Sequence, residues 1–310
     1  MKKWLLIPVL ILSVLLILMF TVIPSDITVS GYKIIHAPVG TINRIFASDG
    51  SIKKWWPGEI VNDTSFTYQN VQYHIPLTTP IGFSVTTSLS GFFLSGETST
   101  LLVKRDTSAI QLQYHSFHTS LNPFKRVDAY FKTLTLKKQL DNILKSFAQF
   151  AEKKSNIYGL DIVNARVKDS SLISTKKTFS QYPANKDISD LISKLKQHIT
   201  ENGGIEKDYP MLKIRINEEN RYEAMVAIPL LKDIPVKDDI IIKKMVLGNI
   251  LEAKVVGGPS AISTGEASLK NYVLDYNKTS PATPFQLLIT DRYKETDTSK
   301  WVTILKYPVF

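Results

Sequence analysis

The chain has no cysteine among its 310 residues. That absence excludes disulfides, thiolate nucleophiles, iron–sulfur clusters, cysteine-ligated zinc and lipidated cysteine. Histidine is scarce: His36, His74, His115, His118 and His198 are the full set. His115 and His118 stand three apart in strand-like sequence, which puts them on opposite faces and unsuits them to one metal. Neither a metal nor a cofactor is expected. There is no glycine-rich phosphate loop, no nucleophile elbow and no zinc-protease helix motif. The net charge is +10, yet no run reaches the five or six like charges of a nucleic-acid arm. Its densest spots are pairs such as Lys53-Lys54, Lys125-Arg126 and Lys153-Lys154. No nucleic-acid partner is expected, and the sequence names no protein partner.

Composition is otherwise ordinary for globular protein, with 44% apolar and 21% charged residues. The length suits two domains, each with its own core. Residues 4–23 form an uncharged run rich in Leu, Ile and Val, long enough at 1.5 Å per residue to cross a ~30 Å hydrocarbon core. Lys2 and Lys3 precede it, Pro24 ends it, and Ser25 and Asp26 follow. The pattern predicts an uncleaved single-pass anchor in the cytoplasmic membrane. The positive-inside rule puts its N-terminus inside and residues 25–310 outside.

After residue 27 the sequence reads as strand, short helix, strand-rich stretch and long helix. Val39, Ile42, Ile45 and Phe46 have helical spacing. Residues 58–118 hold short alternating stretches, an antiparallel meander. Residues 134–154 carry Leu136, Leu140, Ile143, Leu144, Phe147 and Phe150 on one stripe, a second helix. The opening His36-Ala37-Pro38-Val39-Gly40-Thr41-Ile42-Asn43-Arg44-Ile45-Phe46, followed by Trp55-Trp56-Pro57, resembles that of SRPBCC proteins, the START-like and polyketide-cyclase-like helix-grip domains. The resemblance covers residues 27–155. It implies an apolar cavity between sheet and helix for a lipid-like or aromatic molecule, with Trp55, Trp56, Tyr68, Phe83 and Phe147 as candidate walls. Ordinary core packing is the alternative for the same rings.

The second half repeats. Strand 160–167, helix 187–200, a strand after Pro210 and a strand ending at Pro229 are followed by strand 250–256, a helix from Pro259 to about Tyr276, a strand after Pro284 and a strand ending at Pro308. Residues 236–242 read as the connector. Two copies of such a unit usually pair about a pseudo-twofold axis and form a cleft where they meet. Gly257-Gly258-Pro259, Tyr222-Glu223-Ala224-Met225-Val226-Ala227-Ile228-Pro229 and Trp301-Val302-Thr303-Ile304-Leu305-Lys306-Tyr307-Pro308-Val309 make residues 157–310 resemble the GyrI-like, or bacterial effector-binding, domain. The resemblance implies bulky, often cationic or amphipathic ligands between aromatic rings near a buried acid, with Glu223 in the acid's place. Alternation puts Glu223 on a face with Met225 and Ala227, opposite Tyr222. A salt bridge is the alternative role for Glu223. The family commonly has a glutamate shortly after the proline; here Gln286 stands there, which favours a neutral amphipath.

The sequence therefore predicts an α+β protein: anchor 1–26, helix-grip domain 27–155, and duplicated strand-helix-strand-strand domain 157–310. Its expected function is binding of hydrophobic or amphipathic small molecules without catalysis, through Glu223, Tyr222, Trp301, Tyr307, Gln286, Trp55, Trp56 and Phe83. The alternative is a small-molecule hydrolase with Glu223 as base near Tyr222, Tyr182 or Tyr307.

Overall fold

The computed structural model describes all residues except 1, 24–25, 49, 90–91, 118–121, 168–170 and 281. Pro24, Ser25 and His118 lie outside the described residues, as do the side chains of Lys2, Lys3 and Trp4. The chain divides into two compact units, Met1–Lys153 and Lys154–Phe310. Two large antiparallel sheets and seven α-helices are present among the described residues.

The first unit begins with α1 (Lys2–Val22), which lies against the long helix described below. Among the described residues no helix is long and apolar enough to cross a membrane. This corrects the expected fold class and localisation: the transmembrane anchor over residues 4–23, and the placing of residues 25–310 outside the membrane, do not stand.

Then come β1 (Asp26–Ile35), α2 (Val39–Ala47), α3 (Ile52–Trp55), β2 (Glu59–Ile60), β3 (Ser65–Tyr68), β4 (Val71–Thr79), β5 (Gly82–Leu89), β6 (Phe92–Lys104), β7 (Thr107–Phe117) and α4 (Pro123–Glu152). The strands form one seven-stranded sheet in the order β1-β7-β6-β5-β4-β3-β2. Helix α4 packs on β1 and buries Leu136, Leu140, Ile143, Leu144 and Phe147. It starts well before residue 134. Asn122 Oδ1 accepts from the Phe124 N–H and Pro123 takes the first turn, both strong start signals. Its first three turns carry exposed Phe124 and Phe131, so no apolar stripe marks them in the sequence.

The second unit runs α5 (Lys154–Tyr158), β8 (Ile162–Arg166), β9 (Ser171–Phe179), α6 (Asn185–Glu201), β10 (Met211–Ile216), β11 (Tyr222–Leu230), β12 (Ile241–Lys244), β13 (Asn249–Val256), α7 (Pro259–Asp275), β14 (Phe285–Leu288) and β15 (Val302–Val309). The repeat is one strand longer than the sequence suggests: β8-β9-α6-β10-β11 and β12-β13-α7-β14-β15. The connector read over residues 236–242 runs at its end into a strand, β12 (Ile241–Lys244). The leading strand of each copy is exchanged, so β8 pairs with β13 and β12 with β9. The eight-stranded order is β12-β9-β11-β10-β14-β15-β13-β8. Leu212 of β10 stands opposite Gln286 of β14, and the two hold matching places in the two copies, so the pseudo-twofold axis passes through this pair.

The two edges of this sheet join. Arg166 pairs with Asn249 at one edge, and Ser171 pairs with Lys244 at the other. Beyond the first of these pairs the Val167 N–H donates to the Gly248 carbonyl at 2.9 Å. A flat sheet in this order would hold β12 and β13 about 29 Å apart at ~4.8 Å per strand. The chain from Lys244 to Asn249 reaches only about 17 Å. The sheet is thus rolled, and the cores under α6 (Ala224, Val226, Ile228) and α7 (Leu251, Ala253, Leu305) put both helices on its outer face.

Candidate functional site

On the outer face, α6 and α7 flank a cleft over the pseudo-twofold axis. One part, about 350 Å³, lies between α6, β10 and the loop after β14. An adjoining part, about 230 Å³, is lined by Tyr182, Tyr222, Glu266 and Gln286. The parts share Tyr182, Leu212 and Ile214. Strand alternation explains the floor. Leu212 and Gln286 are cross-strand partners and so point the same way, as do Tyr222 and Ile216.

Glu266 reaches the cleft because of its neighbour. A Cβ on Gly265 would lie 2.8 Å from Val255 Cγ2 and 2.9 Å from Leu305 Cδ1, so glycine lets α7 sit close on the sheet. Gln286 Nε2 donates to Glu266 Oε1 at 2.9 Å. Arg292 Nη2 donates to Gln286 Oε1 at 2.9 Å and to Thr303 Oγ1 at 2.8 Å, and its guanidinium lies over the Trp301 ring at 5.4 Å. The amide of Gln286 thus links a carboxylate to a guanidinium, where a neutral wall was expected. Tyr182 and Tyr222 meet edge to face, with ring centroids 5.6 Å apart. The Tyr182 phenol is pushed up by burial first and by the Glu266 charge second, which keeps it protonated at neutral pH. Burial also lowers Arg292, against the opposing pull of Tyr182 and Glu266.

The expected site residues separate into four places. Tyr222 and Gln286 line the cleft. Trp301 is buried beneath Arg292, its indole N–H donating to the Glu295 carbonyl at 2.9 Å, and Tyr307 packs against the core under α7. Glu223 stands on the opposite, inner face, where Lys176 binds its Oε2 at 3.0 Å and Arg215 its Oε1 at 2.8 Å. These partners, Lys176 first, hold its carboxyl below the usual range. Its surroundings are cationic, where the sequence suggested an apolar face. Trp55, Trp56 and Phe83 lie in the core of the first unit. Phe46 stacks on Phe147 at 5.1 Å, and Trp55 meets Phe147 edge-on at 4.9 Å and Phe83 at 6.0 Å. Trp56 packs on Phe66 and Tyr73, and its N–H donates to the Thr67 carbonyl at 2.9 Å.

Sequence reasoning missed Glu266 and Arg292. A signal for Glu266 was present: its counterpart in the first copy is Ile192 on α6, so a carboxylate replaces an apolar side chain facing the same cleft.

Among the described residues no group of His, Asp and Glu is arranged to hold a metal ion. No family model matches the chain, and no curated protein matches it. Several solved structures are similar. EcmrR in a complex with DNA aligns at 15% identity over 62% of this chain and 72% of that one, with a TM-score of 0.44. The EcmrR C-terminal domain aligns at 12% identity over 49% of this chain and 98% of that one, with a TM-score of 0.42. SAV2435 bound to tetraphenylphosphonium aligns at 13% identity over 48% and 94%, with a TM-score of 0.32. At these identities and TM-scores the likenesses assign this chain neither a family nor an activity.

Proposed function

We propose that the second unit is a GyrI-like binding module. Its cleft takes an aromatic or amphipathic small molecule with a cationic or hydrogen-bond-donating head. The observation that carries the reading is Glu266. It accepts one hydrogen bond, from Gln286, and makes no ion pair among the described residues. Arg292 across the same cleft is already engaged by Gln286, Thr303 and the Trp301 ring. Glu266 is thus a carboxylate with bonding capacity left over, beside the edge-to-face pair of Tyr182 and Tyr222. Apolar burial supplies most of the affinity at ~25 cal/mol per Å², before ordering costs.

The reading contains no catalytic step. Glu223 faces away from Tyr222 and Tyr307, so these residues do not form an acid–tyrosine pair. For the first unit the proposal keeps the helix-grip fold, supported by the seven-stranded sheet on α4, and gives Trp55, Trp56 and Phe83 a packing role.

Tetraphenylphosphonium and tetraphenylborate have one shape and opposite charge, which makes them the test pair. Calorimetric titration of the full chain should show the cation binding at least about tenfold tighter, from the ~1.5–3 kcal/mol of a charged hydrogen-bond or ion contact. Glu266→Gln should narrow that gap, and Tyr182→Ala should weaken both ligands. Equal binding of the two ions, or a gap untouched by Glu266→Gln, would overturn the proposal.

A further inference from the structure

The inner face of the rolled sheet holds a second cavity, separated from the cleft by the sheet itself. It measures about 380 Å³ and is lined by Leu172, Met211, Met225 and Pro308. Met245, Val246, Leu247 and Gly248, which connect β12 to β13, line it as well. That volume is at the small end of the range for small-molecule sites. Two adjoining hollows on the same face share Lys213, Met225 and Lys243, or Met211 and Met245, with it.

The charges of this face do not balance. Glu223 is shared by Lys176 and Arg215, and Asp233 is paired with Lys244 at 3.3 Å. Lys213 and Lys243 remain. Among the described residues neither meets a carboxylate within ion-pair distance. The Lys243 ammonium instead lies 3.1 Å from the Met225 sulfur, a weak acceptor. Lys213 is half-buried, flanked by Arg215 and Lys243, and its ammonium is lowered by burial and by those two charges. Two ammonium groups thus stand at one wall of a methionine-lined cavity. Thioether side chains adapt to a flexible chain better than branched ones do.

We propose that this inner cavity binds a free single-chain amphipathic anion, its tail along Met211 and Met225 and its acidic head between Lys213 and Lys243. The apolar side chains of Met245, Val246 and Leu247 in the lining suit an alkyl tail. The site opens on the other face of the sheet from Glu266 and takes the opposite charge, while Leu212, Lys213 and Phe285 of the intervening strands border both hollows.

The probe is dodecanoate, below its micellar concentration, titrated calorimetrically into the full chain with dodecyltrimethylammonium as the opposite charge. Dodecanoate should bind at one site, weaken as salt is raised, and bind unchanged when the cleft is saturated with tetraphenylphosphonium or altered by Glu266→Gln. The double variant Lys213→Gln, Lys243→Gln should lose about tenfold or more in dodecanoate affinity while keeping its thermal midpoint. Equal affinity for the two amphiphiles in the unaltered chain would overturn the inference without recourse to any variant. So would dodecanoate binding that survives the double variant, or that is abolished by Glu266→Gln or by saturating phosphonium. Failure of the phosphonium titration alone would count against the outer cleft and leave this site standing.

Discussion

The two units use aromatic residues in opposite ways. In the first, rings are spent on rings: Phe46, Trp55, Trp56, Phe66, Phe83 and Phe147 form a contiguous buried set. Its polar groups are mostly tied inside, as with the Tyr73 hydroxyl on Gln139 at 2.8 Å, though the buried Trp55 N–H meets no acceptor among the described residues. In the second unit the Tyr182–Tyr222 pair borders open space, with Glu266 and Arg292 across from it. Aromatic content alone does not distinguish a wall from a core. What distinguishes them is whether the opposite side of the ring is filled, and whether a charge stands near with bonding capacity left over.

The largest expected effect sharpens this contrast. Phe147→Ala should destabilise the first unit by about 3–5 kcal/mol, the usual cost of emptying a packed aromatic site. Tyr222→Ala should cost the second unit only about 0.5–1.5 kcal/mol, the worth of one ring pair. Denaturant unfolding of the full chain, followed by tryptophan fluorescence and circular dichroism, measures both. Equal costs would erase the distinction between core and wall.

Next is Gly265→Ala. The added methyl meets Val255 and Leu305 below 3 Å, so overpacking should destabilise the second unit by about 1–3 kcal/mol. Because Glu266 follows directly, tetraphenylphosphonium affinity should fall with stability. A stable variant with unchanged affinity would show that α7 has room to spare.

The smallest effect concerns acid. Asp239 is held down to about 2 by hydrogen bonds from Lys194 first and Thr175 second. Glu223 is lowered in the same direction by Lys176 and Arg215. A depressed carboxyl contributes stability that is present above its unfolded value, ~3.9–4.3, and is lost as pH falls through the folded one. Stability of the second unit should therefore decline between about pH 4 and pH 2. Thr175→Val should flatten part of that decline, as read from thermal midpoints across the range. A midpoint independent of pH in this window would remove these pairs from the account.

Much of the fold was legible because it rests on local periodicity. Apolar spacing located α6 and the Gly257-Gly258-Pro259 turn located α7, each to within two residues at either end, and the prolines at 210, 229, 284 and 308 marked the strands of the repeat. The exchange of β8 and β12 was hidden, because pairing between distant edges leaves no trace in either segment. Strand alternation correctly put Glu223 on the face opposite Tyr222. It could not show that Lys176 and Arg215, on β9 and β10, converge on that carboxylate. Glu266 was missed for the same kind of reason: on an amphipathic helix a charged residue reads as solvated surface until its neighbours across the cleft are known. The N-terminal apolar run was read from its length in sequence, and the described helix does not sustain that reading.

The contrast between the units is most directly tested by photo-crosslinking. An aryl-azide analogue of tetraphenylphosphonium, bound to the full chain and illuminated, should attach to residues lining the outer cleft, Tyr182, Tyr222 or the segment 289–293, and unlabelled phosphonium should compete it away. Competed labelling at Trp55, Phe83 or Phe147 would show an open site in the first unit and contradict the account.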